Sequence, residues 1–122
     1  MTETTATPQP IVVCAVEEVP EGEAIVLDAE ETGTGDAISV FHDASGFYAL
    51  DDTCTHALAS LADGWVEDGA VECPLHSARF CLKSGKALSL PATKAARTHK
   101  VEVVDGEVVL HPGVPAAEAA GA

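Results

Sequence analysis

Two short stretches of this 122-residue chain carry side chains suited to holding metal. They are Cys54-Thr55-His56 and, sixteen residues further on, Cys73-Pro74-Leu75-His76. Each offers one soft thiolate and one imidazole. A single zinc ion with two cysteines and two histidines is one reading. Zinc-finger pairs normally match ligands by type, however, with two cysteines on one arm and two histidines on the other. The one-residue gap of Cys54-Thr55-His56 also makes a tight chelate for one tetrahedral ion. A binuclear iron–sulfur cluster accommodates mixed pairs more naturally, because each stretch can send its Cys to one iron and its His to the other.

Such ligands need a stiff frame, and the flanking sequence predicts one. Ile11–Val16 and Ala24–Leu27 read as strands separated by Pro20 and Gly22. Ala37–His42 and Phe47–Leu50 read as a hairpin closed by Asp43, Ala44, Ser45 and Gly46. Val101–Val104 and Glu107–His111 form a second hairpin around Asp105-Gly106, a strong two-residue turn signal. No segment sustains a helical period. Many short strands at close spacing predict an all-β sandwich or barrel. The stretch from Cys54 to Pro91 differs, with turns at Asp63-Gly64, Asp68-Gly69 and Ser84-Gly85 and three of the four cysteines. It is predicted to be a small subdomain inserted between strands of a larger β-domain. The Ala/Gly/Pro-rich end, residues 113–122, is predicted to be a flexible tail.

Composition narrows the function. With 47% hydrophobic but only 4% aromatic residues, small aliphatics must build most of one modest core. A metal centre is the kind of added constraint that suits such a domain. No apolar run approaches the length that spans a bilayer, and MTETTATPQP lacks the basic and apolar regions of a secretory signal. A cytoplasmic protein is expected, where clustered cysteines favour metal over disulfides. A net charge of −14 argues against nucleic acid and anionic membranes as partners. All six bases fall between Arg79 and Lys100, a stretch free of acids. The acidic excess reads either as a solubilising surface or as a docking face that steers the chain to basic partners. Asymmetry in sequence need not become asymmetry in space.

With these residues in view, the sequence resembles the Rieske-type ferredoxins of bacterial oxygenase systems. The resemblance runs from about Ile11 to His111. Its specific part is CTHALASLADGWVEDGAVECPLHSARFCLKSGKALSLPAT, from Cys54 to Thr93. Within it, FCLKSGKALSLPAT is similar to the ferredoxin component of 3-phenylpropionate/cinnamate-type ring-hydroxylating dioxygenases. The resemblance implies a Rieske-type β-sandwich, one domain over residues 1–112, with a cluster-binding subdomain over about 52–92. It implies one [2Fe–2S] cluster, with Cys54 and Cys73 on the inner iron and His56 and His76 on the outer one. The histidines would sit at an exposed tip and give the electron its way in and out. The implied partners are a flavin-dependent reductase and a terminal oxygenase, each docking transiently with a monomeric carrier. A permanent small subunit of another redox enzyme, such as a nitrite reductase, is the alternative reading. A zinc-binding interaction module is a third.

The resemblance also sets an expected potential. Two thiolates cancel the charge of the oxidised core, so adding an electron costs less than in a four-thiolate site. The Rieske proteins of respiratory cytochrome bc complexes add a disulfide between the ligand loops and two hydroxyls after the second histidine. The matching positions here are Ala59 and Leu75 for the disulfide, and Ala78 and Phe80 for the hydroxyls. Fewer hydrogen bonds place the expected potential at the low end of the range, around or below about −100 mV. Ser77 offers one hydroxyl of its own. Pro91 matches the proline of a third loop that covers the cluster.

Other candidates are given no ligand role. Cys14 and Cys81 read as packed thiols, and His42, His99 and His111 as surface or strand-end residues. Asp51-Asp52 reads as surface acids or part of a docking patch. No G-x-G-x-x-G dinucleotide fingerprint is present, and no 2-His-1-carboxylate oxygen-activating site. The chain is too short to hold an oxygenase domain as well, so an electron carrier that does no bond chemistry is expected.

Overall fold

The structure, a computed structural model, describes residues 10–54, 59–67, 69–74, 78–88 and 95–114. Its strands are β1 (Ile11–Ala15), β2 (Ala24–Leu27), β3 (Ile38–Asp43), β4 (Gly46–Asp51), β5 (Trp65–Glu67), β6 (Ala70–Glu72), β7 (Arg79–Cys81), β8 (Thr98–Val104) and β9 (Glu107–His111). A six-stranded antiparallel sheet runs β1-β9-β8-β4-β3-β2, and a separate three-stranded sheet runs β5-β6-β7. β8 is the corner strand. Thr98 and His99 pair with β4, whereas Lys100–Val104 pair with β9, so the large sheet curls into two halves. The all-β expectation holds, and β2 and β9 lie where the sequence placed them.

One element was not expected. α1 (Ala29–Thr32) is a single helical turn. Asp28 caps it: its carboxylate accepts the Glu31 N–H at 3.0 Å, and the Glu31 carboxylate accepts the Asp28 N–H at 3.1 Å. One turn is too short to show a period, which is why hydrophobic patterning missed it.

β3 and β4 are buried on both sides and separate two cores. Ile38, Val40 and Ala49 face Leu27, Val108 and Leu110 inside the curled sheet. Phe41 and Leu50 face the other way, into a cluster with Leu61, Val71, Phe80 and Leu82 that roofs over the small sheet. Alternation with period 2 lets neighbouring residues of one strand serve opposite cores. The small sheet lies between β4 and β8 in the chain and turns Val66, Val71 and Phe80 inward. Its β5–β6 turn is tied back to the β3–β4 turn, where the Gly69 N–H donates to Asp43 Oδ1 at 3.2 Å. Among the described residues, no helix is long and apolar enough to cross a membrane. At the C-terminal end, Gly113 and Val114 are still hydrogen-bonded to the fold. Residues 115–122 of the predicted tail lie outside the described residues.

Candidate metal centre

Cys54 and Cys73 each open a hairpin loop, and the two loops are built alike. Thr53 bridges to Ser60 around residues 54–59, and Glu72 pairs with Arg79 around residues 73–78. In each loop the cysteine N–H donates across the neck. Cys54 donates to the Ala59 carbonyl at 2.9 Å, and Cys73 to the Ala78 carbonyl at 2.6 Å. Both cysteines are buried, at 3% and 0% exposure, in the same apolar cluster. The fold therefore brings the two predicted thiolate ligands to matching positions in two equal loops. His56 and His76, the predicted imidazole ligands, lie outside the described residues, as do Leu75, Ser77 and Pro91.

The segment that carries Pro91 is pinned at both ends. The Leu88 N–H donates to the Arg79 carbonyl at 2.7 Å, and the Ala96 N–H to the Gly85 carbonyl at 2.7 Å. Gly85 has φ +75°, and a Cβ there would lie 2.0 Å from the Ala96 oxygen, so only glycine fits this neck.

The stem of the first loop is held by acids, which corrects the surface reading of Asp51 and Asp52. Asp52 is buried, and its Oδ1 accepts from Ser39 Oγ on β3, from Ser60 Oγ at 2.8 Å and from the Ala62 N–H at 3.1 Å. It joins the strand that enters the loop, the residues that leave it and the floor beneath. Asp52→Ala is expected to lower stability by about 2–3 kcal/mol in urea unfolding, since three donors lose their acceptor. Local patterning does not reveal this, because Ser39 lies on another strand and Ser60 across the loop neck.

Asp51 binds the other flank. Its carboxylate accepts from Arg97 Nε at 3.2 Å and lies 2.8 Å from His99 Nε2. Burial alone would raise its pKa, but the hydrogen bonds from His99 and Arg97, with the Arg97 charge, outweigh it and hold the carboxyl below the usual range. A depressed folded value means the stabilisation is complete above the unfolded pKa of about 3.9 and is lost as pH falls through the folded value. Asp51→Asn should therefore flatten the decline of stability with acid below about pH 4, as measured by urea midpoints across pH.

His99 does lie at a strand end, as the second residue of β8, but is not on the surface: it is buried to 1% exposure. Its Nδ1 accepts the Gly113 N–H at 2.9 Å, so the Nε2–H tautomer satisfies both nitrogens. His42 stacks on Phe47 and bonds the Val19 carbonyl, and His111 pairs with Glu102. Cys14 packs against the curled-sheet core, where burial and then Glu18 push its thiol pKa up. Cys81 lies on β7, partly exposed. Burial would raise its pKa, but hydrogen bonds from Ser84 and Lys83 outweigh that and lower it.

The charge asymmetry follows the division of the chain between the two sheets. Residues 53–97, which include the small sheet and both cysteine loops, hold five bases and four acids. The rest of the chain holds one base and sixteen acids. The acidic excess thus belongs to the segments that flank residues 53–97 in the chain.

A model of the Rieske [2Fe-2S] domain matches residues 9–111. The chain belongs to the Rieske [2Fe-2S] domain family. This Rieske domain is 48% identical over 101 residues to the 3-phenylpropionate/cinnamic acid dioxygenase ferredoxin subunit of Escherichia coli (strain K12), covering 82% of this chain and 91% of that one. It superposes with a TM-score of 0.78 and 32% identity on a chain from the complex of reduced oxygenase and oxidized ferredoxin in carbazole 1,9a-dioxygenase, covering 87% and 94% of the two chains. A structure described as the small subunit of an NADPH nitrite reductase matches with a TM-score of 0.70 and 26% identity, over 84% and 97%. Membership brings one Rieske-type [2Fe–2S] cluster with it. The described part of the site fits that group, offering two buried cysteines in one water-excluding cluster at the heads of two equal loops.

Proposed function

We propose that this Rieske domain is a one-electron carrier that passes electrons from a flavoprotein reductase to the terminal oxygenase of a multicomponent aromatic ring-hydroxylating dioxygenase. The observation that carries the reading is the pair of equal hairpin loops headed by buried Cys54 and Cys73, in a chain so similar to a dioxygenase ferredoxin subunit. In this reading Cys54 and Cys73 would hold the cluster through thiolates, and His56 and His76 would hold it through imidazoles. When bound, the cluster supplies reversible one-electron chemistry at a potential raised by histidine ligation.

The protein's own part is to hold and shield. Phe41, Leu61, Val71 and Phe80 close the inner side of the loops against water. Asp52 and the loop-neck bonds keep the ligand spacing fixed between redox states, which limits rearrangement on electron transfer. Ala78 and Phe80 are fully buried without a hydroxyl to offer, in keeping with a potential near the low end of the Rieske range. The carrier works as a cytoplasmic monomer, one domain over residues 1–112 with its cluster-binding part over about 52–92. Pro91, outside the described residues, would cover the cluster in this reading.

The first test is an absorption and EPR spectrum of the purified protein before and after dithionite. A red-brown protein that bleaches partly and shows the low-average-g signal of a His-ligated cluster supports the reading. A colourless protein holding stoichiometric zinc overturns it. The likeness to a nitrite reductase small subunit favours a second reading, a permanent subunit, which stable co-purification with a large catalytic chain would establish.

A further inference from the structure

The outward face of the small sheet carries an unusual row. Trp65 pairs with Glu72, Glu72 with Arg79, and the Phe80–Ala87 bridge sets Leu88 opposite Arg79. Directly opposed residues of antiparallel strands share a face, so Trp65, Glu72, Arg79 and Leu88 form one line. Cys73 follows Glu72 and Ala78 precedes Arg79, so this line borders the second cysteine loop. Its two ends are the chain's only tryptophan, 61% exposed, and a leucine, 50% exposed. The next row out is Glu67, Ala70, Cys81 and Lys86, with Glu67 and Lys86 exposed. Acids therefore occupy the β5–β6 half of the face and bases the β7 half, with apolar groups at both margins.

We propose that this face is the oxygenase-docking anchor of the carrier, with Trp65 at its margin as the main contact, an inference that rests on the electron-carrier reading above. An exposed indole is expensive to leave in water and is over-represented among residues that dominate binding energy. Its place on the sheet edge beside a cysteine loop lets one contact hold the partner while the loop faces the acceptor. The partner surface that fits is an apolar socket for the indole, flanked by a cation facing Glu67 and by an anion facing Lys86. The acids that precede residue 53 and follow residue 97 are not part of this contact. The face is small, a few side chains on three short strands, which suits a brief encounter rather than a stable dimer of the chain.

The test uses the full-length holoprotein, chemically reduced, with the oxygenase component of the E. coli 3-phenylpropionate/cinnamic acid system as acceptor. Trp65→Ala should raise the KM for the ferredoxin about tenfold, change kcat less than about twofold and leave the cluster's absorption and EPR spectra unaltered. Trp65→Phe should restore most of the affinity. Lys86→Glu should raise KM and weaken its dependence on salt. A wild-type KM in Trp65→Ala, with normal turnover, overturns the docking anchor and leaves the carrier reading standing. An altered spectrum in Trp65→Ala overturns it too, because the residue then acts through the cluster. Failure of the wild-type holoprotein to reduce the oxygenase at all overturns the carrier reading, and the anchor with it.

Discussion

Cys73→Ser is expected to give a chain without the visible absorption of a [2Fe–2S] centre. Cys73 is fully buried at the head of its loop, and serine supplies neither a soft thiolate nor the charge that balances ferric iron. Cys73 shares its buried cluster with Val71, Ala78 and Phe80, none of which carries a group that could replace the thiolate. His56→Ala should have the same effect on the spectrum, as its place in the ligand set requires. Folding is linked to the metal, since a cluster that binds only the native loops stabilises them. The apoprotein should therefore also unfold at lower urea than the holoprotein. Cys81→Ser is the contrasting case. Cys81 lies on the outward side of β7 with Ser84 and Lys83 as its partners, and full cluster content is expected. A Cys73→Ser protein that keeps the spectrum would remove this cysteine from the ligand set.

Gly64→Ala is expected to destabilise the protein by more than about 4 kcal/mol, an exceptional loss for adding one methyl group. A Cβ on Gly64 would sit 1.9 Å from the Glu72 carbonyl oxygen and 3.2 Å from that of Leu61. Both obstacles are backbone, so neither can swing away. The Glu72 carbonyl belongs to the residue before Cys73, and relief of the clash must push β6 and the second loop together. Loss of the cluster should accompany loss of stability. Gly69→Ala separates the two causes. Gly69 has φ +77° but nothing within 4 Å of a Cβ, so it should cost only about 1–2 kcal/mol of backbone strain. Urea unfolding followed by circular dichroism, with cluster absorbance read on the same samples, distinguishes a strained turn from a displaced loop.

Much of the frame was legible because its signals are local. Asp105-Gly106, at φ +52° and +79°, makes the hairpin turn its dipeptide promised. The short apolar runs became β2, β3, β4 and β9 with small shifts at their ends. The cysteine spacing was legible too, since ligand motifs are short by necessity. What was hidden depends on contacts distant in the chain. Asp52 reads as one acid of a pair until Ser39 is seen beneath it. His99 reads as a surface residue until β8 is seen to change partners there, which buries both sides of the strand at Thr98 and His99. Gly64 looks like any turn glycine, because its constraint is the backbone of Glu72. Trp65 carries no local signal of its own, and only the pairing of β5 with β6 turns it outward.

The two cores share a wall, and that bears on how the protein can be divided. Phe41 and Leu50, on strands that precede the first cysteine, form one side of the cluster that encloses Cys54 and Cys73. Excised alone, the residues from 52 to 92 would lose that side and leave Leu61, Val71 and Phe80 open to solvent. The redox part is thus not a cassette that could be transplanted by its own sequence. A scaffold meant to receive it must also supply a two-stranded floor with an aromatic and an aliphatic residue on the same face, set diagonally as Phe41 and Leu50 are. Conversely, a change in β3 or β4 far from any ligand can reach the metal through the side of the strand that faces it.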